Sequence, residues 1–267
     1  LGLAGVKRIR TIGVDGGVAY ATEFRHLADK TRLDSGQSSY DLQFEAIARA
    51  IRTYDLEFGA IGMQLPVQIY VGTQAEQEVA TRVLEYSIRR HASVSVNVVP
   101  LHLAISQAIP AYEEIVAGLA QGTPFSLQRF AIPELMGRQG RAIYLDSDMQ
   151  VFGDIRELWS WPIGDGPAAA VQPTPGGRAP QLSVLVIDCE RAKWDVREIA
   201  ARLRADPAAY SEVFGGQGYV GDIERTIPYC WNSLELYEKN VTRLVHYTNM
   251  RHQPWLSWRN PLAEIWC

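Results

Sequence analysis

A chain of 267 residues, 47% hydrophobic and 21% charged, has enough apolar residues to build one large α/β domain or two small ones. Its formal charge of -4 lacks the basic excess expected of a nucleic-acid protein. No apolar run nears the roughly 18 residues that span a bilayer, and no signal-peptide pattern opens the chain, so a cytoplasmic location is expected, with at most peripheral contact to the inner face of a membrane.

The first 65 residues read as an N-terminal extension, partly helical and of unassigned role, and 66–267 as the main domain. Within the extension, residues 31–39 are polar and turn-rich. Residues 40–58 then place Phe44, Ile47, Ala48, Ile51 and Tyr54 on one helical stripe.

From residue 67 the pattern sharpens. "VQIYV" (67–71) alternates like a strand, and Val79, Val83, Leu84 and Ile88 recur at helical spacing in 75–92. Thr73 and Glu76 form a T-x-x-E capping box, which predicts a helix starting at Thr73. "VSVNVV" (94–99) is a second strand. Strand, helix and strand joined by short connections make a βαβ unit, and hence an α/β fold with parallel strands covered by helices.

Residues 125–135 predict a helix that ends or breaks near Pro133. The strand "AIYL" (142–145) follows, then a Pro/Gly-rich loop at 164–181 in which "AAAVQ" can form a short strand. "LSVLVID" (182–188) is an unbroken apolar run, expected as a buried strand. The amphipathic helix of 191–206 comes next. The cysteines Cys189, Cys230 and Cys267 match neither a zinc spacing nor a disulfide framework, and Cys189 is expected as a buried thiol.

The strand ending at Leu145 runs into Asp146-Ser147-Asp148. Residues i and i+2 of an extended chain point to one side, so both carboxylates can reach a single cation. Hard oxygen ligands suit Mg²⁺ or Mn²⁺, and the C-terminal edge of a sheet is where open α/β folds bind ligands. A solvated acidic turn accounts for the same residues. His246, far away in "LVHYTN", can complete a Mn²⁺ set as a borderline nitrogen ligand, or can be merely structural. Asp154 is expected to cap the helix of "DIRELW".

These blocks, in order, resemble glycosyltransferase family eight. "IYVGTQ" with "VLEYSI", "FSLQRFAIPEL" with "AIYLDSDMQVFGDIRELW", "LSVLVIDCERAKW", "IPYCWN" and "HYTNMRHQPW" each match a segment of that family, over about residues 67 to 255. The resemblance implies a GT-A, Rossmann-like fold with a central mixed, mostly parallel sheet flanked by helices. It also implies retaining transfer of a hexose from a nucleotide-diphosphate sugar, with UDP as the expected nucleotide, to a hydroxyl of a glycan, glycolipid or other acceptor. By the same resemblance Asp146, Asp148 and His246 bind Mn²⁺ or Mg²⁺. The donor lies against Gly72, Thr73, Gln74, Ser147, Arg129 and Gln253, while Gln217 and Arg129 support the reacting sugar. Asn232 is expected to order its loop.

The chain departs from the family in several places. Gln253 stands where a phosphate-binding lysine is usual, Asn249 where glycine is usual, and Gln181 where asparagine is usual. Gly216 and Gly218 flank Gln217 in place of acidic residues, and Gln74 and Gln77 replace an aspartate that reads uracil. A catalytically weak or inactive sugar-nucleotide binder is therefore one alternative. A haloacid-dehalogenase-type phosphatase, with Asp146 as nucleophile, is a more remote one, since Gln150 occupies the position of its usual Thr or Val.

Overall fold

A computed structural model describes residues 7–11, 46–47, 49–51, 53–54, 56–60, 66–119, 125–173 and 182–266. The turn-rich 31–39, Phe44, Ala48, Gln181 and Cys267 lie outside the described residues. The chain divides into two compact units, Leu1–Leu65 and Pro66–Cys267. In the first, β1 (Arg8–Thr11) pairs in parallel with β2 (Glu57–Ala60). Helical backbone runs through 46–47, 49–51 and 53–54, with Ile47, Ile51 and Tyr54 half-buried and Ala46, Arg49 and Thr53 exposed, as an amphipathic stripe requires.

The second unit is built on a six-stranded sheet containing β3 (Val67–Gly72), β4 (Val96–Pro100), β5 (Arg141–Asp146), β7 (Ala168–Val171), β8 (Val184–Asp188) and β9 (Glu224–Ile227). Their order is β4-β3-β5-β8-β7-β9. β3 lies parallel to both β4 and β5, and β7 parallel to β9, whereas β8 runs antiparallel to its two neighbours. The sheet is thus mixed and mostly parallel, and "AAAVQ" does supply a strand.

The alternation of side chains explains why both faces are buried. In β5, Ala142 and Tyr144 enter one hydrophobic cluster while Ile143 and Leu145 enter the other. In β8, Leu185 and Ile187 divide from Val184 and Val186 in the same way. A strand buried on both sides carries an unbroken apolar run, which is what "LSVLVID" displays. Each fully buried Ile or Leu contributes roughly 1.5–3 kcal/mol relative to exposure.

Helices flank this sheet: α1 (Glu78–His91), α2 (Leu101–Ala108), α3 (Tyr112–Val116), α4 (Ile132–Leu135), α5 (Ile155–Trp159), α6 (Val196–Ala205) and α7 (Ala209–Gly215). Two sequence expectations need correction. The helix predicted to begin at Thr73 starts as a 3-10 turn at Ala75–Gln77 and becomes α1 only at Glu78. Thr73 is fully buried, and its hydroxyl meets Thr81 Oγ1 at 2.7 Å rather than capping the first turn. The helix predicted across 125–135 is a 3-10 turn (Gln128–Ala131) followed by the single turn α4, with Pro133 in its first turn, where the missing N–H costs nothing. Asp154 caps α5 as expected, accepting from Arg156 N at 3.0 Å. Cys189 is fully buried, and burial pushes its thiol up to about 12.

A small second sheet determines the site. β6 (Met149–Val151) pairs antiparallel with β11 (Leu244–His246), which pairs in parallel with β10 (Ser233–Leu234). No helix among the described residues is long and apolar enough to cross a membrane.

Candidate metal and donor site

The turn after β5 is pinned by the backbone on three sides. Asp146 N donates to Ser183 O (3.1 Å), Ser147 N to Gly72 O (3.1 Å), and Tyr247 N to Asp148 O (2.8 Å). The third bond continues the β6–β11 ladder, in which His246 faces Met149. A histidine 98 residues beyond Asp148 is thereby delivered beside it. His246 Nε2 lies 3.1 Å from Asp148 Oδ1, and one ligand atom from each of Asp146, Asp148 and His246 falls within a 4.8 Å span. Asp146 and His246 are buried and Asp148 is half-buried.

Each member of the triad is held by a further residue. His246 Nδ1 donates to Asn232 Oδ1 at 2.9 Å, which fixes the ring and leaves Nε2 facing the carboxylates. Burial disfavours the charged imidazole, but the nearby Asp148, Asp146 and Glu235 carboxylates outweigh it and raise the His246 pKa. Asp146 Oδ1 accepts from the Tyr144 hydroxyl and from Arg129 Nη2 at 3.3 Å, so its second oxygen is left for a ligand. Arg129 is itself buried and stacks 4.5 Å over the Tyr144 ring. It donates to Ser126 O at 3.0 Å and to Leu182 O.

Two hard carboxylate oxygens and one imidazole nitrogen converging on one point form a donor set suited to Mn²⁺ or Mg²⁺. The residues present fit the cation. They open on a cavity of about 870 Å³, lined among others by Gln77, Arg129, Asp146, Asp148, Gln217 and His246. That volume suits a small-molecule substrate. One wall is aromatic, with Tyr210 stacked on Phe214 at 4.3 Å and Phe125 nearby on the cavity surface.

The structure brings together six of the residues singled out in the sequence: Gln77, Arg129, Asp146, Asp148, Gln217 and His246 all line this cavity. The others stand behind its wall. Gly72 lies beneath the turn, where a Cβ would sit 2.1 Å from the Tyr144 hydroxyl oxygen, so glycine is required for Tyr144 to reach Asp146. Thr73 is buried, its N–H donating to Gln128 Oε1 (3.1 Å), and Gln74 is half-buried. Ser147 donates its hydroxyl to Gln77 Oε1 at 3.1 Å, and Gln77 rather than Gln74 reaches the cavity. Gln253 is buried, its amide lying 3.4 Å from Asp148 Oδ2 and donating to Tyr247 O at 3.2 Å.

Backbone geometry accounts for the missing acids beside Gln217. Gly216 ends α7 in the left-handed conformation (φ 75°), and Gly218 has φ 60°, with a Cβ there landing 1.7 Å from Glu212 Oε1. Sequence reasoning overlooked Tyr144, Gln128 and the aromatic wall. Tyr144 carried a signal, since it sits two residues before Asp146 on one strand and therefore on the same face.

Comparison with known proteins agrees with this geometry. The family model described as "Glycosyl transferase family 8" matches residues 77–210. Protein CDI of Arabidopsis thaliana is 26% identical over 230 residues, covering 75% of this chain and 85% of that protein. Among solved structures, the apo form of the glycosyltransferase GlyE of Streptococcus pneumoniae TIGR4 superposes with a TM-score of 0.51 at 17% identity, over 76% of this chain and 59% of GlyE. An active-site mutant of LgtC gives 0.52 at 12% identity, over 75% of this chain and 95% of LgtC. These superpositions speak to the fold, and the chain spans less than two thirds of GlyE. With half of the chain matched by the family model, the protein belongs to glycosyltransferase family 8 and has the GT-A fold.

Proposed function

We propose that the protein is a metal-dependent, retaining hexosyltransferase that uses a nucleotide-diphosphate sugar, UDP-linked in the first instance, and a hydroxyl acceptor on a glycan or glycolipid. The observation that carries this reading is the convergence of Asp146, Asp148 and His246 within 4.8 Å on a cavity that also exposes Arg129 and Gln217. Asp146, Asp148 and His246 Nε2 would hold Mn²⁺ or Mg²⁺, which when bound neutralises the diphosphate and makes it a better leaving group.

In the reaction, the bond from the anomeric carbon to the phosphate oxygen breaks, and a bond to the acceptor oxygen forms on the same face. The acceptor proton departs with the nucleoside diphosphate. Positive charge develops at the sugar as the diphosphate leaves, an oxocarbenium-like situation. Gln217, exposed on the cavity wall, offers an amide oxygen towards that carbon. Arg129 holds Asp146 and adds positive charge on the diphosphate side. The aromatic wall of Tyr210 and Phe214 excludes water, limiting donor hydrolysis.

The test is a panel of UDP-, GDP- and dTDP-sugars assayed for hydrolysis and transfer with Mn²⁺. Asp148→Asn should remove the metal-dependent rate, and wild-type turnover in that variant would sink the reading. The binder alternative is supported by Gln253, whose neutral amide is turned to Asp148 and Tyr247 and adds no charge for a diphosphate. It predicts Mn²⁺-dependent calorimetric binding of UDP with no turnover of any donor.

A further inference from the structure

Ser147 stands between the two aspartates of the turn after β5, yet it is buried and does not line the cavity. Its N–H reaches Gly72 O at the end of β3, and its hydroxyl donates to Gln77 Oε1 at 3.1 Å. Gln77 closes the 3-10 turn that β3 leads into. Its backbone is fixed as well, the N–H donating to Gln74 O at 3.0 Å and the carbonyl accepting from the Thr81 hydroxyl at 3.0 Å. A primary amide carries one acceptor oxygen and an NH₂ with two donors. With Oε1 held by Ser147, Nε2 is the end left over, and it has no partner among the described residues. Gln77 is half-buried and lines the cavity.

An amide pinned at one end and idle at the other, on a cavity wall, is the kind of polar group that orients a bound small molecule. Its place in the sheet indicates which part of the ligand it meets. The order β4-β3-β5-β8-β7-β9 puts β3 on one side of β5 and β9 on the other. The aspartate turn ends β5, Gln77 follows β3, and Gln217 lies on the connection from α7 to β9. A nucleotide-diphosphate sugar has the same three-part order, with its diphosphate in the middle. If the diphosphate sits at the triad and the sugar at Gln217, the nucleoside falls on the Gln77 side. A neutral donor also suits the uncharged oxygens of a nucleoside better than a diphosphate, whose charge calls for cations.

We propose that Gln77 is a specificity-determining residue whose Nε2 donates to an uncharged oxygen of the nucleoside, either a base carbonyl or a ribose hydroxyl. Ser147 is the positioning residue that turns the amide to present this donor. The proposal rests on the donor-binding reading above. Ser147, expected from the sequence to touch the donor itself, acts through Gln77 instead.

The test is calorimetric titration, with Mn²⁺, of ribose 5-diphosphate, inorganic pyrophosphate and whichever of UDP, GDP and dTDP binds tightest. The proteins are wild type, Gln77→Met, Ser147→Ala and the double variant. Gln77→Met should weaken the nucleotide about fivefold, the worth of one hydrogen bond, and leave pyrophosphate and Mn²⁺ alone at wild-type affinity. Ser147→Ala should weaken the nucleotide by a smaller factor and add nothing in the Gln77→Met background. Ribose 5-diphosphate separates the two sources of the oxygen: a dependence on Gln77 that it retains assigns the ribose, and one that it loses assigns the base. Unchanged nucleotide affinity in Gln77→Met overturns the proposal. Equal losses for nucleotide and pyrophosphate also overturn it, by assigning the amide to the diphosphate, as does a loss of affinity for Mn²⁺ alone. A Ser147→Ala effect that persists in full without Gln77 overturns the positioning role. If the wild type binds none of the three nucleotides, the donor-binding reading itself fails.

Discussion

Gln253 and Asp148 are coupled through a buried amide, with Gln253 Nε2 lying 3.4 Å from Asp148 Oδ2 while His246 occupies the other oxygen at 3.1 Å. The glutamine thus acts on a carboxylate of the Asp146, Asp148 and His246 cluster instead of reaching into the cavity. Gln253→Leu should weaken Mn²⁺ binding about tenfold, the lower end of the range for lost outer-shell partners. Calorimetry with the metal alone checks this, and an unchanged affinity would mean that the contact contributes nothing to the site.

Asn232 has the matching role on the histidine. Removing its oxygen in Asn232→Ala frees the imidazole to rotate and leaves Nδ1 without an acceptor. Mn²⁺ affinity should fall by about 10- to 100-fold. Asn232→Asp, which retains the acceptor, should recover most of it, and equal affinities in the two variants would argue against an orienting role.

Gly72→Ala should disturb the site from beneath. The new methyl would sit 2.1 Å from the Tyr144 hydroxyl oxygen and 2.8 Å from its ring carbon Cζ. Overpacking of this kind costs about 1–3 kcal/mol, measurable as a lower urea midpoint at constant slope. Adding Tyr144→Phe removes the closest contact and should restore part of the loss, so the two substitutions should be non-additive.

Asp154 supplies a pH-dependent contribution to stability. Burial alone would raise its pKa, but hydrogen bonds from Ser93 and Arg156 outweigh it and hold the carboxyl below its ordinary value of 3.8. A group depressed on folding stabilises above its unfolded pKa and loses that contribution as pH falls through its folded pKa. Asp154→Ala should therefore cost about 1 kcal/mol at pH 7, as lost N-caps do. The gap to wild type should stay level down to about pH 5 and shrink in acid below about pH 4. A gap that widens on acidification would contradict the assignment.

What was legible in the sequence depended on range. The βαβ start and the amphipathic α6 have an internal period and the apolar run of 182–188 is unbroken, and the structure contains all three, the run as β8 from Val184 and the helix from Val196. Asp146 and Asp148 were legible for the same local reason. His246 was not readable by pattern, because its place depends on pairing between strands of only three residues, too short to carry a period. Ligand chemistry singles it out as a nitrogen donor that can join the two aspartates, with a structural role equally open, and the family resemblance favours the ligand role. The capping box at Thr73 misled because a buried partner, Thr81, competes for the hydroxyl. Gln77 was named together with Gln74, and only packing decides that Gln77 is the one at the cavity, while Tyr144 depends on a glycine's empty space that spacing does not reveal.

The β6–β11 pairing also has a temporal consequence. Its partners are separated by roughly a hundred residues, so closing that ladder requires most of the second unit to be synthesised first. A chain still emerging from the ribosome carries both aspartates but lacks the histidine. Under the proposed metal-binding reading, cation capture at full strength would be a late event in maturation, and would then favour the finished molecule over every earlier species by mass action.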